Sequence, residues 1–159
     1  MFIRKATIKD ASEMHELHTN AVRTTCKDFY TDEQIEAWLK DRSPEGYHEG
    51  ISEGETYLVE EKGKILGFGH ATPGELLAVY VNTDSQKRGV GKELLDYGLK
   101  IAVKGYKKVK LKSTLNATSF YKKHGFVQKK KSWVLRNGVK IPIVVMEYLV
   151  PPRQKSPIK

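Results

Sequence analysis

The chain has 159 residues, of which 39% are hydrophobic and 30% charged, and its formal net charge is +9. This length suffices for one domain with a hydrophobic core, and the composition is typical of a water-soluble globular protein. No stretch reaches the roughly 18–20 apolar residues of a membrane helix, so no membrane partner is expected. The first residues lack the apolar run of a signal peptide, and the single cysteine, Cys26, excludes an intramolecular disulfide, which together predict a cytoplasmic protein.

The first third of the chain predicts one strand and two helices. Residues 2–6 alternate enough for a strand, and a helical pattern with one apolar face begins at Asp10. A second helix is predicted from Thr31, because Thr31 and Gln34 have the spacing of a capping box. Residues 44–54 are expected to form a loop or a short helical turn.

The middle of the chain predicts a hairpin, a central strand, a helix and a further strand. Residues 56–60 and 64–71 flank a Lys-Gly turn and are expected to pair. Residues 76–81 are almost continuously apolar, which predicts a strand buried on both faces. A helical pattern follows over residues 92–104, and alternation over residues 109–113 predicts a short strand.

The last part predicts a helix and a hairpin. Asn116 has the residue type of a helix cap, and the pattern after it predicts a helix over residues 116–124. Two strands, near residues 126–136 and 141–149, flank Asn137-Gly138, which is a strong hairpin signal.

No internal repeat or linker divides the chain. Residues 1–150 are therefore predicted to form one α+β domain with a mixed sheet of about seven strands and flanking helices. Residues 151–159 begin with two prolines and are predicted to be a basic, disordered tail.

Charge is distributed unevenly along the chain. Residues 1–75 contain nine Lys or Arg against fifteen Asp or Glu, whereas residues 84–140 contain sixteen against three. A two-substrate enzyme would use the basic half for a polyphosphate and the acidic half for a cationic or polar acceptor, although many of these lysines are also expected as solvated surface.

The most informative segment is Gln86-Lys87-Arg88-Gly89-Val90-Gly91. It joins the apolar strand to a helix, and a glycine turn at a helix N-terminus points unpaired N–H groups at one concavity. The two glycines let the backbone approach an anion, and Lys87, Arg88 and Lys92 add positive charge. A phosphate-binding turn is therefore predicted.

The segment from Val79 to Gly91 resembles the acyl-CoA signature of the GNAT N-acetyltransferase superfamily, an apolar strand and short turn followed by Gln/Arg-x-x-Gly-x-Gly/Ala. A second signature of that family, an aromatic pair ahead of x-x-x-Gly-Phe, is similar to Phe120-Tyr121-Lys122-Lys123-His124-Gly125-Phe126. The resemblance extends over nearly the whole chain. It implies a twisted, mostly antiparallel mixed sheet opened by a wedge at the CoA site, and transfer of an acetyl group from acetyl-CoA directly to an amine in a ternary complex.

The resemblance also implies which residues hold acetyl-CoA. Main-chain groups of Val79 and Val81 would hold the acetyl and pantetheine part, and N–H groups from Arg88 to Lys92 would bind the pyrophosphate. Asn116 would either contact the pantetheine arm or only cap its helix, since the family's asparagine more often occupies the position of Thr114. The implied cofactor-binding residues are Val79, Tyr80, Val81, Gln86, Lys87, Arg88, Gly89, Val90, Gly91, Lys92 and Asn116.

Two catalytic residues are expected from the same resemblance. Tyr121 matches the family's tyrosine that protonates the departing thiolate, and the alternative is a tyrosine of the core. Glu75 is the candidate general base and His70 its rival, while a water chain or an already neutral amine would make a base unnecessary. The remaining histidines show no metal-ligand spacing, so no metal is predicted.

The acceptor site is expected between the first two helices and the final hairpin, as in relatives. Phe29, Tyr30 and Trp38 form an aromatic group there, with core packing as the alternative, and Cys26 lines the pocket or packs as a small apolar side chain. The acceptor itself, a small-molecule amine or a peptide amine, is not readable from the sequence.

Two other functions remain open from the sequence alone. A nucleic-acid-binding module would use the lysine-rich half with stacking by Trp133 and Tyr106, but it would give the glycine turn no role, so a nucleic-acid partner is not expected. A GNAT fold that binds acyl-CoA without catalysis is the other alternative. Since many relatives pair through strands or the C-terminal region, a homodimer is compatible with the resemblance.

Overall fold

The computed structural model describes residues 1–152 of the chain. Seven strands form one sheet: β1 (Phe2–Lys5), β2 (Thr56–Glu61), β3 (Lys64–Thr72), β4 (Glu75–Val81), β5 (Lys108–Ser113), β6 (Phe126–Arg136) and β7 (Val139–Leu149). The α-helices are α1 (Ala11–Thr25), α2 (Asp32–Leu39), α3 (His48–Ser52), α4 (Val90–Ala102) and α5 (Thr118–Lys123). Residues 153–159 of the predicted tail, which was placed at residues 151–159, lie outside the described residues.

The strands are arranged in the order β1-β2-β3-β4-β5-β7-β6. Only β4 and β5 pair in parallel, and every other neighbouring pair is antiparallel. The predicted α+β fold with a mostly antiparallel, mixed sheet of seven strands is therefore confirmed. The predicted element order is also confirmed, with α3 as the short helical turn expected within residues 44–54.

Local sequence signals explain several element ends. The hydroxyl of Thr31 accepts a hydrogen bond from the Gln34 N–H at 3.1 Å, and the Gln34 side chain accepts one from the Thr31 N–H at 2.9 Å, so the predicted capping box begins α2. Asn137 and Gly138 both have positive φ, 48° and 79°, as a tight hairpin between β6 and β7 requires. Within residues 1–152, no helix is both long enough and apolar enough to cross a membrane.

The sheet carries helices on both faces. Tyr57 and Val59 of β2 pack with α4, whereas Leu58 between them packs with α1, because successive side chains of a strand point to opposite faces. Each face therefore has its own apolar core. Leu94 of α4 is fully buried in the first core and Met14 of α1 in the second.

The strand predicted at residues 76–81 is central, but it is not buried on both faces. Ala71 pairs with Leu76 and His70 with Ala78, which leaves Leu77 as an extra residue in a β-bulge, 48% exposed. Pairing between β4 and β5 stops after two residue pairs, of which Leu76–Leu111 is the second. The two strands then separate, and the open space between them is why an apolar strand stays partly accessible.

Two predicted helices differ from the observed ones. α4 begins at Val90, two residues earlier than predicted, because Gly89 in a left-handed conformation takes the cap position. Asn116 was predicted as a possible cap, but it lies inside a 3₁₀ turn over Leu115–Ala117, and Ala117 holds the cap position of α5 without a side-chain hydrogen bond. The prediction of Asn116 as the helix cap is therefore wrong, and its side chain is free for other contacts.

Candidate active site

Two cavities meet where β4 and β5 separate. The first has a volume of about 690 Å³ and runs along β4, the glycine turn, α4 and α5. The second, of about 390 Å³, lies between β4, helices α1 to α3 and the β6–β7 hairpin. Residues that line both cavities are Leu76, Leu77, Ala78, Tyr80, Lys112 and Thr114.

The glycine turn is shaped to bind an anion. Lys87 and Gly89 have positive φ, 67° and 81°, and such alternating conformations turn successive N–H groups toward one concavity. No side chain caps α4, so the N–H groups of its first turn have no acceptor within the helix. A side chain at position 89 would have space around its Cβ, and the requirement for glycine there is the left-handed backbone.

The lining of the first cavity is strongly basic. Lys87, Lys92, Lys112 and Lys123 line it, and no Asp or Glu is among its lining residues in the described chain. Arg88 was predicted to contribute charge here, but its guanidinium binds Glu61 at 2.7 Å and does not line the cavity. Lys92 lines the cavity while it pairs with Asp96 at 2.6 Å.

The exposed side of β4 lies along the same cavity. Val79, Tyr80 and Val81 line it together with Gln86, Val90 and Gly91. Because β4 has no β5 partner beyond Leu76, main-chain polar groups on that side are available to a ligand. The predicted cofactor residues are thus brought together, with the side chain of Arg88 as the exception.

Tyr121 projects from α5 into the first cavity. It is only 8% exposed and packs against the rings of Phe120 and Phe126, at centroid distances of 5.3 and 5.6 Å. Burial raises the pKa of its phenol above the ordinary value, so the hydroxyl stays protonated at neutral pH. The predicted acid therefore lines the cavity in a protonated form.

A small polar cluster closes the inner end of the first cavity. The thiol of Cys26 donates to Asn116 Oδ1 at 3.4 Å, and both residues line the cavity. The Tyr30 hydroxyl donates to the Pro142 carbonyl at 2.7 Å and accepts from the Leu115 N–H at 3.0 Å. Burial raises the pKa of Tyr30 to about 12. This tyrosine fixes the turn that carries Asn116, as a core residue rather than a pocket residue.

The predicted aromatic group is divided between three places. Phe29 is 52% exposed beside the first cavity, Tyr30 is buried, and Trp38 lines the second cavity. Tyr30 and Trp38 still contact each other edge to face, with centroids 5.4 Å apart. Of these three aromatic residues, only Trp38 lines the second cavity.

Both candidate bases line the second cavity. Glu75 lies at the start of β4, and His70 lies on β3 with its Nε2 atom 3.1 Å from a carboxylate oxygen of Glu55. Gly50 allows this arrangement, because a Cβ there would come within 2.8 Å of the Thr56 hydroxyl and 3.0 Å of the His70 ring. Neither candidate belongs to the first cavity.

A polar cluster joins α1 to the segment after α2. Arg42 Nη2 donates to His18 Nδ1 at 2.6 Å and to the Tyr47 hydroxyl at 3.0 Å, and the Tyr47 hydroxyl lies 2.8 Å from His18 Nδ1. His18 is 5% exposed and stacks on Tyr80 at 3.8 Å. Burial, with Arg42 as a second cause, lowers the pKa of His18 well below its usual value, so the ring is neutral at pH 7.

The described residues hold no cluster of three or more His, Cys, Asp or Glu side chains suited to a metal ion. The second cavity contains a single carboxylate, Glu75, against Arg42, Lys112 and Arg136. The acidic surplus of residues 1–75 therefore does not line the cavity in which the acceptor is expected.

Residues 26–149 match the family model described as the acetyltransferase (GNAT) domain. This match covers most of the chain, including the two signatures and most residues of both cavities, but not the α1 residues that line them. The chain belongs to the GNAT acetyltransferase family. A comparison with curated protein sequences gives no significant match.

Solved structures share the fold of this GNAT domain along nearly its whole length. A GCN5-related N-acetyltransferase from Rhodopseudomonas palustris is 23% identical with a TM-score of 0.81, and the match covers 94% of this chain and 95% of that one. PaiA N-acetyltransferase from Thermoplasma acidophilum, solved with coenzyme A, is 24% identical with a TM-score of 0.75 and coverage of 94% and 98%. The protein yncA from Salmonella typhimurium, solved with acetyl-CoA, is 17% identical with a TM-score of 0.68 and coverage of 99% and 98%.

Sequence reasoning missed several lining residues of this GNAT domain. Arg42 and Tyr47 lie outside any motif, Arg42 at the end of the second predicted helix and Tyr47 in the segment predicted as a loop or turn. His18 gave a weak signal, because it is a polar residue on the apolar face of a predicted helix. Lys112 and Lys123 were counted only as part of the basic half, and their positions depend on how β5 and α5 pack.

Proposed function

We propose that this protein is an acetyl-CoA-dependent N-acetyltransferase that transfers the acetyl group directly to the amine of a small molecule or peptide in a ternary complex. The observation that carries the proposal is the first cavity. A turn built for anions, four lysines without a carboxylate, and an unpaired strand edge follow one another along it. A polyphosphate with an extended, amide-containing arm fits that order of groups.

Each part of acetyl-CoA would then meet a matching surface. The pyrophosphate would accept hydrogen bonds from the first turn of α4, with Lys87 and Lys92 nearby. The pantetheine amides would bind the unpaired edge of β4 like an added strand. This geometry would bring the thioester to the opening between β4 and β5, beside Tyr121 and the second cavity.

The reaction needs two proton movements. The amine nitrogen attacks the thioester carbon, a C–N bond forms, and the C–S bond breaks as the electron pair leaves with sulfur. Tyr121 would donate its proton to that thiolate, since its phenol, with an ordinary pKa of about 10 that burial raises further, is protonated at neutral pH. The proton of the amine would leave through Glu75, with His70 as the other acceptor on the same side of the opening.

Calorimetric titration of acetyl-CoA tests the cofactor site. Wild-type protein is expected to bind with micromolar affinity, and Gly89→Glu is expected to lose at least a hundredfold, because a carboxylate in a strained left-handed turn would face the pyrophosphate. Gly105→Glu is a suitable control, since Gly105 also has a positive φ of 75°, has nothing within 4 Å of a Cβ built there and lines neither cavity. Thiol release with a panel of amines then measures turnover. No binding by the wild type would overturn the proposal.

The same titration separates the alternatives. Binding without turnover of any amine would favour a non-catalytic acyl-CoA-binding GNAT domain. Nucleic-acid affinity that falls steeply with salt, without binding of acetyl-CoA, would favour a module that uses Trp133 and Tyr106, which are both 51% exposed. A cytoplasmic location and a homodimer stay predictions from the sequence.

A further inference from the structure

Two buried hydrogen-bond donors beside the second cavity have no acceptor. Because a guanidinium only donates, His18 Nδ1 must accept from Arg42, and the ring proton therefore lies on Nε2. This Nε2–H and the Nε–H of Arg42 are both buried without a hydrogen-bond partner among residues 1–152. His18 and Arg42 both line the cavity and contact each other.

Unpaired buried donors are costly, and native proteins contain few of them. In the described chain there are three such side-chain atoms, and the third, the hydroxyl of Tyr57, belongs to a residue of the apolar core. The other two belong to His18 and Arg42, which contact each other and line the same cavity. Both atoms are closed to solvent, so a ligand in the cavity would reach them only after one of the two side chains turns toward it.

The charge of the cavity indicates which acceptors these are. Arg42 contacts only neutral groups, and no carboxylate of residues 1–152 forms an ion pair with it. Lys112 and Arg136 add two more cations, against the single carboxylate of Glu75. A partly buried cation without a counter-charge favours an anionic ligand.

Neighbouring aromatic rings keep both side chains beside the second cavity. Asp41 follows Lys40, the C-cap of α2, and has a φ of 63°. Asp tolerates this left-handed conformation, which changes the direction of the chain just before Arg42. The Arg42 guanidinium lies over the Tyr47 ring at 5.8 Å. On the other side, the His18 ring stacks on Tyr80, which lines both cavities. The donor pair therefore adjoins the opening where the two cavities meet.

We infer that the acceptor is an amine that also carries a carboxylate, namely an amino acid, and that His18 and Arg42 hold this carboxylate. The inference rests on the proposed function, since it names the substrate class of the same site. A carboxylate offers one acceptor oxygen for each of the two unpaired donors and a counter-charge for Arg42, and Glu75 and His70 remain for the ammonium end. An amino acid is a polar acceptor, one of the two kinds, cationic or polar, that the acidic half of the sequence suggested.

Matched amines test this assignment. Phenylalanine, lysine and γ-aminobutyrate are titrated calorimetrically into the protein beside phenethylamine, cadaverine and propylamine, with and without saturating coenzyme A. At least one amino acid is expected to bind roughly ten- to a hundredfold more tightly than its decarboxylated partner, as charge-assisted hydrogen bonds provide. Arg42→Gln is expected to abolish this preference and to leave the dissociation constant of acetyl-CoA unchanged.

Two further variants serve as a control and as a replacement for Arg42→Gln. Arg23→Gln removes an exposed arginine of α1 that pairs with Glu36 and lines neither cavity, and it is expected to keep the preference. If Arg42→Gln does not fold, as judged by circular dichroism, Arg42→Lys replaces it. Lysine keeps the positive charge but lacks the Nε–H donor of the guanidinium, so most of the preference is expected to disappear.

Several results would overturn the assignment. These are equal or tighter binding of the decarboxylated amines, no binding by any of the three amino acids, or a preference that survives Arg42→Gln. Tenfold tighter binding of phosphoethanolamine than of γ-aminobutyrate would replace the carboxylate by a phosphate. Because amino-acid binding is also measured without coenzyme A, its failure is distinguishable from failure of the acetyl-CoA site.

Discussion

The two cavities offer different kinds of groups to a ligand. The first offers main-chain N–H groups of α4, an unpaired edge of β4 and lysines at its rim. The second offers side chains that already contact one another, with Arg42 bound to His18 and Tyr47. Main-chain recognition constrains backbone shape more than residue identity, whereas a side-chain network fixes which residues must be present. The first cavity therefore suits a ligand that is the same in many related proteins. The second cavity suits a ligand that is specific to this protein.

The largest expected effect separates chemistry from binding. Tyr121→Phe should lower kcat at least a hundredfold, because loss of a positioned acid typically costs this much, and should leave the dissociation constant of acetyl-CoA within about twofold. Tyr97→Phe, on α4 and outside both cavities, should leave kcat unchanged.

Because the pKa of Tyr121 is raised, ionisation of this residue should not reduce kcat below about pH 10. An unchanged kcat in Tyr121→Phe would remove it as the acid.

The difference between the cavities also explains what the sequence could reveal. Gln86, Gly89 and Gly91 lie within six consecutive residues, so local spacing was enough to predict an anion-binding turn and the strand and helix beside it. The bulge at Leu77, by contrast, depends on pairing with β3, so hydrophobicity and periodicity do not report it, and only the family resemblance implied an irregularity that opens a wedge in this strand. His18 and Arg42 are 24 residues apart and meet only because α1 and the segment after α2 pack together.

A second expected effect concerns the buried histidine of the second cavity. The folded-state pKa of His18 is lowered, so below about pH 6.5 the unfolded chain binds more protons than the folded one. Stability should therefore fall as the pH drops through that value, by at most about 1.4 kcal/mol per pH unit for one proton. Urea unfolding between about pH 5 and pH 7 measures this slope.

The variant comparison for this slope uses two histidines. His18→Gln should flatten the dependence of unfolding free energy on pH, whatever its effect on absolute stability. His48→Gln, which lines neither cavity, should keep the wild-type slope. Equal slopes in wild type and His18→Gln would mean that His18 is not a neutral buried group.

The smallest expected effect tests the charge of each cavity separately. Lys123→Gln should weaken acetyl-CoA binding roughly two- to fivefold at low salt and less at high salt, because exposed charge interactions are weak and screened. Arg136→Gln in the second cavity should leave that affinity unchanged. Calorimetry at two ionic strengths measures both. Equal losses in the two variants would mean that the protein's overall charge, rather than the first cavity, attracts the cofactor.

The separation of β4 and β5, beside the bulge at Leu77, affects the stability of the folded protein. Because β4 and β5 part after two residue pairs, the empty fold forgoes sheet hydrogen bonds that a closed sheet would have. A ligand laid along that edge replaces them, and saturation at about a hundred times the dissociation constant adds about 2.7 kcal/mol to folded-state stability. For a chain of this size such a gain raises the melting temperature by several degrees. Resistance to heat and to proteases would thus rise and fall with the supply of the bound ligand.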